Sequence, residues 1–168
     1  MNPEERTSGW QRLTGNPELN LLFFSFLLNF VWEMWQVPYY QDMERAPHFE
    51  AVRICTRASL GDGLISVIAF WTAALQGTRR WHLEPRAGPW LIYLATGVAI
   101  TVVLEWLATG PLERWSYAGA MPRLPLIGTG LLPVLQWLLL PPLTLALMRR
   151  QTRNAHRPCG AARAGRER

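Results

Sequence analysis

Four apolar blocks constrain what this chain can fold into, because each approaches the roughly 20 residues a helix needs to cross a hydrocarbon layer of about 30 Å. They run over residues 19–37, 60–76, 90–108 and 126–148, and most of the charge falls between them. The average hides this segregation: mean hydropathy is only +0.02, although 49% of the 168 residues are hydrophobic and 17% charged. Such blocks exclude an ordinary soluble domain, a disulfide-stapled secreted fold and a disordered chain. The expected fold is all-α, a polytopic membrane protein built as a bundle of four transmembrane helices. A short N-terminal segment, 1–18, precedes the bundle, and a basic disordered tail, 149–168, follows it.

The breaks between blocks carry stop signals. Pro38-Tyr39-Tyr40 closes the first block, Gly77 and Arg79-Arg80 the second, Gly110-Pro111 the third and Arg149-Arg150 the fourth. The second block is short, which leaves room for an earlier start. Prolines within a membrane helix need neighbours to satisfy the freed carbonyls. Pro133 and Pro141-Pro142 therefore predict that the fourth helix is kinked and packed inside the bundle.

All 17 basic residues are arginine, and seven of them lie between Arg149 and Arg168 against the single acid Glu167. A basic tail beside a membrane helix suits anionic headgroups. It does not suit nucleic acid, since no folded basic surface accompanies it. Four spans place both termini on one side. The terminal segments and second loop hold twelve arginines and the other two loops five, so the positive-inside rule puts both termini in the cytoplasm. The N-terminal segment carries Glu4, Glu5 and Glu18 and no A-x-A site follows, so the first block is expected to stay as an anchor. Cys55 and Cys159 fall on opposite sides, form no CxxC and offer no zinc or redox motif.

The polar residues inside the blocks are the informative ones, because an acid at mid-bilayer costs roughly 2.5–3.5 kcal/mol on insertion scales and normally has a partner or a task. Asn29, Glu33 and Gln36 share one face of the first helix. Asp62 lies near the start of the second block, with Ser66 one turn on. Glu105 ends a small-residue stripe, Gly97-Thr101-Glu105, in the third. Gln136 follows Pro133 in the fourth. Alternation of the spans brings all four to the same, outer half of the membrane. Trp32, Trp35, Trp106 and Trp137 lie at about that level. The third loop, with Arg114, Trp115 and Tyr117, is positioned to fold over the mouth of such a site. Arg114 is the nearest cation in sequence, suited to holding a carboxylate ionised or gripping a headgroup.

Each of these residues has a structural alternative. Glu33 and Glu105 serve equally as interhelical hydrogen-bond partners, Asp62 as a helix cap, and Asn29 and Gln136 as packing glue. The tryptophans, including Trp10, Trp81 and Trp90, suit interface belts. His48 sits in the acidic first loop, whereas His82 and His156 fall at the opposite side. No Glu-x-x-His pair marks a di-iron bundle, no Gly-x-Ser-x-Gly a nucleophile, and no glycine loop a phosphate, so neither metal nor cofactor is expected.

Glu105-Trp106, Arg114-Trp115, Tyr117, Met121-Pro122 and Leu135-Gln136-Trp137, with Asn29-Phe30-Val31-Trp32-Glu33, Gln36, Pro38 and Tyr40, resemble a recurring pattern of small bacterial four-helix integral membrane proteins. The resemblance spans about residues 19–150 and implies an architecture without an activity. A looser, site-level similarity to membrane isomerases and cyclases of sterols and carotenoids rests on buried acids paired with tryptophans.

The leading expectation is a pocket for an apolar lipid in the outer half of the bilayer. Glu33 and Glu105 would be its acid/base pair, with Asp62 assisting. Asn29, Gln36, Trp32, Trp106, Arg114, Tyr117, Gln136 and Trp137 would bind the ligand, the aromatic faces stabilising developing positive charge. The alternatives are a non-catalytic partner or assembly subunit of a membrane complex, with the polar cluster as glue, and a proton- or ion-coupled transport subunit.

Overall fold

The computed structural model describes residues 15–155 apart from 42, 44, 84 and 85. Glu4, Glu5, Trp10, Asp42, Glu44, and the tail from residue 156 with His156 and Cys159 lie outside the described residues. The rest is all-helical: α1 (Pro17–Gln36), α2 (His48–Ala74), α3 (Ala87–Thr109) and α4 (Leu131–Ala155). Each contains a stretch long and apolar enough to cross a membrane. α1 packs on α2 and α4, and α3 packs on α2 and α4, which closes an up-down-up-down bundle.

Local chemistry sets the helix ends. Asn16 caps α1 by accepting the Leu19 amide at 3.1 Å, with Pro17 in the first turn. Pro38 forces the chain out of α1 into one 3-10 turn, Val37–Tyr39. α3 stops at Gly110, whose amide bonds back to the Trp106 carbonyl.

Three boundaries differ from the sequence reading. α2 starts at His48, twelve residues before the second apolar block. Its first three turns bury only Ala51, Cys55 and Ser59, while Glu50, Arg53 and Arg57 face out. The charged outer face lowers the apolar average without breaking the helix, and Asp62 becomes a mid-helix residue that caps nothing. α4 begins at Leu131 instead of residue 126, because 126–130 belong to the third loop. It also continues through Arg149-Arg150, so the tail is helical as far as Ala155. Arginine is a good helix former and does not stop a helix by itself. Pro133 falls in the first turn, where its missing N–H breaks no bond, and Pro141 and Pro142 lie within the helix. α4 is the most buried of the four: 44% of its apolar window is buried, against 22–33% for the others.

The bundle is apolar outside as well as inside. Phe23, Val31, Leu64, Ile68, Leu91, Val103 and Leu139 are all exposed. Its best-packed core lies at the end where α1 begins, formed by Leu21, Phe70, Trp81, Tyr93, Leu145 and Met148. Small residues allow the close approaches. A Cβ on Gly63 would come within 2.8 Å of the Leu22 side chain, and one on Gly97 would lie 1.9 Å from the Trp137 ring.

Candidate functional site

At the other end, the four polar groups of the four helices converge. Gln136 on α4 is the hub: its Nε2 lies 2.7 Å from Asn29 Oδ1, 3.0 Å from Asp62 Oδ2 and 3.3 Å from Glu33 Oε1. An amide nitrogen carries two hydrogens and cannot donate to three acceptors at once. The longest contact, to Glu33, is the one most readily surrendered to another partner. Gln36 donates to Glu33 Oε1 at 2.8 Å, and Trp32 Nε1 donates to Gln36 Oε1 at 3.1 Å. Asn29 donates to the Ser25 carbonyl and hydroxyl, and the Ser25 hydroxyl meets that of Ser66 at 2.9 Å. The i, i+4, i+7 spacing on α1 thus produces one continuous polar face.

Glu105 on α3 has separate support from the third loop. It accepts a short hydrogen bond from the Tyr117 hydroxyl and a longer one, 3.4 Å, from Trp115 Nε1. The Tyr40 hydroxyl is a further neighbour of the same carboxylate. The loop is pinned across the end of the bundle. Gln41 N donates to Ser116 O, Ala118 N to Tyr39 O, and Ser116 Oγ to Gln41 Oε1. Burial, and then the neighbouring Glu105 carboxylate, push the Tyr117 hydroxyl well above its ordinary range; burial and the nearby carboxylates do the same for Tyr40. Both stay protonated and able to donate.

Beneath this loop lies a cavity of about 280 Å³. Glu33, Asp62 and Glu105, from three different helices, all line it, together with Gln36, Gln136 and an otherwise mainly apolar wall that includes Ile54, Cys55, Ala58, Ile65 and Leu104. Among the described residues, no basic side chain lines it. Thr101, also in the wall, is 8% exposed, and its hydroxyl has no hydrogen-bond partner among the described residues. Among the described residues, no three His, Cys, Asp or Glu side chains are grouped so as to hold a metal ion.

The structure separates the sequence-derived candidates into three sets. Glu33, Asp62, Glu105, Gln36 and Gln136 line the cavity. Asn29, Trp32 and Tyr117 do not line it but bond to residues that do. Arg114, Trp106 and Trp137 stand apart. Arg114 is exposed and makes no ion pair among the described residues. Trp115 and Tyr117 reach inward from a non-helical stretch, and alternation turns the side chain between or before them outward. Trp106 follows Glu105 by 100° around α3 and is 57% exposed. Trp137 is displaced in the same way from Gln136 and lies on Gly97, with no hydrogen-bond partner for its Nε1 among the described residues. His48 is exposed at the start of α2.

Sequence reasoning gave Tyr40 and Cys55 no place at the site and did not single out Ser25. Tyr40 precedes an irregular loop, where no periodicity reports direction. The small-residue run Ala51-Cys55-Ser59, one residue per turn, is the signal that marks Cys55 as inward-facing. No protein-family model, curated protein or solved structure matches this chain.

Proposed function

We propose that this chain is an integral protein of the bacterial inner membrane, with cytoplasmic termini, that holds an apolar lipid in the outer half of the bilayer and exchanges protons with it. One observation carries the reading: three carboxylates from three helices face one largely apolar cavity that no cation among the described residues lines. Placing acids there costs packing and solvation that a purely structural bundle would avoid. The outward-facing apolar residues on every helix support membrane insertion. The lack of a basic group disfavours an anionic ligand, and the apolar wall favours hydrocarbon.

In this reading Glu33 and Glu105 form the acid/base pair. Glu33 has the weakest claim on Gln136; Gln36 holds its Oε1, and the carboxylate faces the cavity. Glu105 is oriented by Tyr117 and Trp115, which is what a proton-transfer group requires. A proton delivered to one carbon of a lipid double bond and another removed from a neighbouring carbon move the bond without changing composition. This is an isomerisation; trapping of the intermediate cation by a second double bond, followed by loss of a proton from the new cation to a carboxylate, gives cyclisation. Native mass spectrometry of gently solubilised wild type beside Glu33→Gln/Glu105→Gln tests the reading. The expected result is a discrete lipid on the wild type that is lost or chemically different on the variant. Identical, lipid-free spectra would refute it.

A second reading has its own observation. The run Gln136–Asn29–Ser25–Ser66 extends the polar path away from the cavity, as a proton-coupled transport subunit would need. It predicts pH-dependent flux in liposomes.

A further inference from the structure

The end of the bundle remote from the carboxylates has a cleft of about 600 Å³ between the start of α1, the loop after α2 and the last turns of α4, lined by Asn16, Pro17, Arg79, Arg80, His82 and Arg153 among others. Its charge is opposite to that of the cavity. Arg79 is held in a two-point contact with Glu18, Nε to Oε1 at 2.7 Å and Nη2 to Oε2 at 2.6 Å. That contact uses two of its five N–H donors and leaves three. Arg80 and Arg153 are exposed and make no ion pair among the described residues. The N-terminus of α1, the positive end of that helix dipole, opens on the same cleft.

His82 braces this arrangement. Its Nδ1 lies 3.2 Å from the Arg79 carbonyl, which can only accept, so the ring donates there and Nε2 carries the lone pair. Burial lowers the His82 pKa from 6.5 to about 4 and keeps the ring neutral. The His82 carbonyl in turn accepts from Arg149 Nε on α4. The turn carrying Arg79 and Arg80 is thereby fixed against the helix carrying Arg153. His82 is 1% exposed, and its Nε2 has no hydrogen-bond partner among the described residues, so the residue serves as a buried brace and not as a phosphate donor.

We infer that this cleft is a phosphate-ester site, and that its occupant is the headgroup of an anionic phospholipid. Guanidinium forks on two elements and a helix N-terminus converging on one concave site make the donor set a phosphate selects. The inference rests on the reading of the four helices as membrane spans, but not on any role of the carboxylate cavity.

The test is lipid retention by native mass spectrometry of the purified full-length protein, titrated with phosphatidylglycerol, phosphatidylcholine or soluble glycerol phosphate. Wild type is expected to retain phosphatidylglycerol over phosphatidylcholine. Arg80→Gln/Arg153→Gln is expected to bind it roughly 30-fold more weakly, the factor for two arginines at about 1 kcal/mol each. Both substituted side chains are exposed, so folding should be unaffected, which thermal unfolding checks. Glu33→Gln/Glu105→Gln should retain phosphatidylglycerol as wild type does, separating failure of this site from failure of the cavity. Soluble glycerol phosphate that displaces the lipid only at far higher concentration supports the membrane source. Equal displacement by the soluble ester would overturn the lipid assignment. Equal retention of phosphatidylglycerol and phosphatidylcholine, or wild-type affinity in the arginine variant, would overturn the site.

Discussion

The two ends of the bundle bury comparable side chains by opposite means. At the end where α1 begins, Phe70 packs against Trp81 with ring centroids 5.4 Å apart, and Trp81 against Tyr93 at 5.7 Å, with Leu21, Leu145 and Met148 filling the gaps. At the other end the helices meet through hydrogen bonds among Gln136, Asn29, Glu33 and Asp62, and they enclose space. Close-packed rings leave nothing for a ligand to displace. A polar network around a cavity gives up packing in exchange for a place where chemistry can occur. In the proposed reading, the contrast assigns stability chiefly to the aromatic core and recognition of the apolar ligand to the carboxylate end.

Three perturbations sharpen or break that contrast. The largest effect is expected from Phe70→Ala, which opens a hole in the aromatic end and should cost about 3–5 kcal/mol in unfolding free energy in detergent, while leaving lipid bound at the other end of any molecule that stays folded. A loss below about 1 kcal/mol would deny the aromatic end its role. Tyr117→Phe comes next. It removes the hydroxyl that Glu105 accepts from and should cost about 1–3 kcal/mol. Hydrogen exchange of loop residues 112–124 should quicken, with the aromatic end unaltered. The third is a graded effect of pH, small near neutrality. The His82 pKa is lowered to about 4 in the folded protein from an ordinary 6.5. The unfolded chain therefore binds the extra proton between those values, and stability rises with pH across that window. Thermal unfolding should show Tm falling as pH drops from 6.5 toward 4, with a shallower slope in His82→Phe.

The same contrast explains what the sequence made legible. The four helices, and the common depth of Glu33, Asp62, Glu105 and Gln136, follow from apolar block length and alternation, which need no tertiary knowledge. The early turns of α2 were obscured because Glu50, Arg53 and Arg57 lie on its outer face. The start of α4 was placed five residues early because Leu126 and Ile127, though apolar, are exposed loop residues. Neighbourhood in sequence misled in a consistent way. Trp106, Trp137 and Arg114 each adjoin a residue at the site, yet one step along a helix or an extended strand of loop turns a side chain away. Spacing predicted faces correctly; adjacency did not.

The most direct test of the central claim fills the cavity without touching its acids. Ala58 lines the wall between Cys55 and Gly61. In Ala58→Phe, native mass spectrometry should show the apolar lipid gone, with any phospholipid at the opposite end retained, while thermal unfolding stays within a few degrees of wild type. Apolar lipid retained at wild-type occupancy in a folded Ala58→Phe protein would contradict the cavity as the place where the ligand sits.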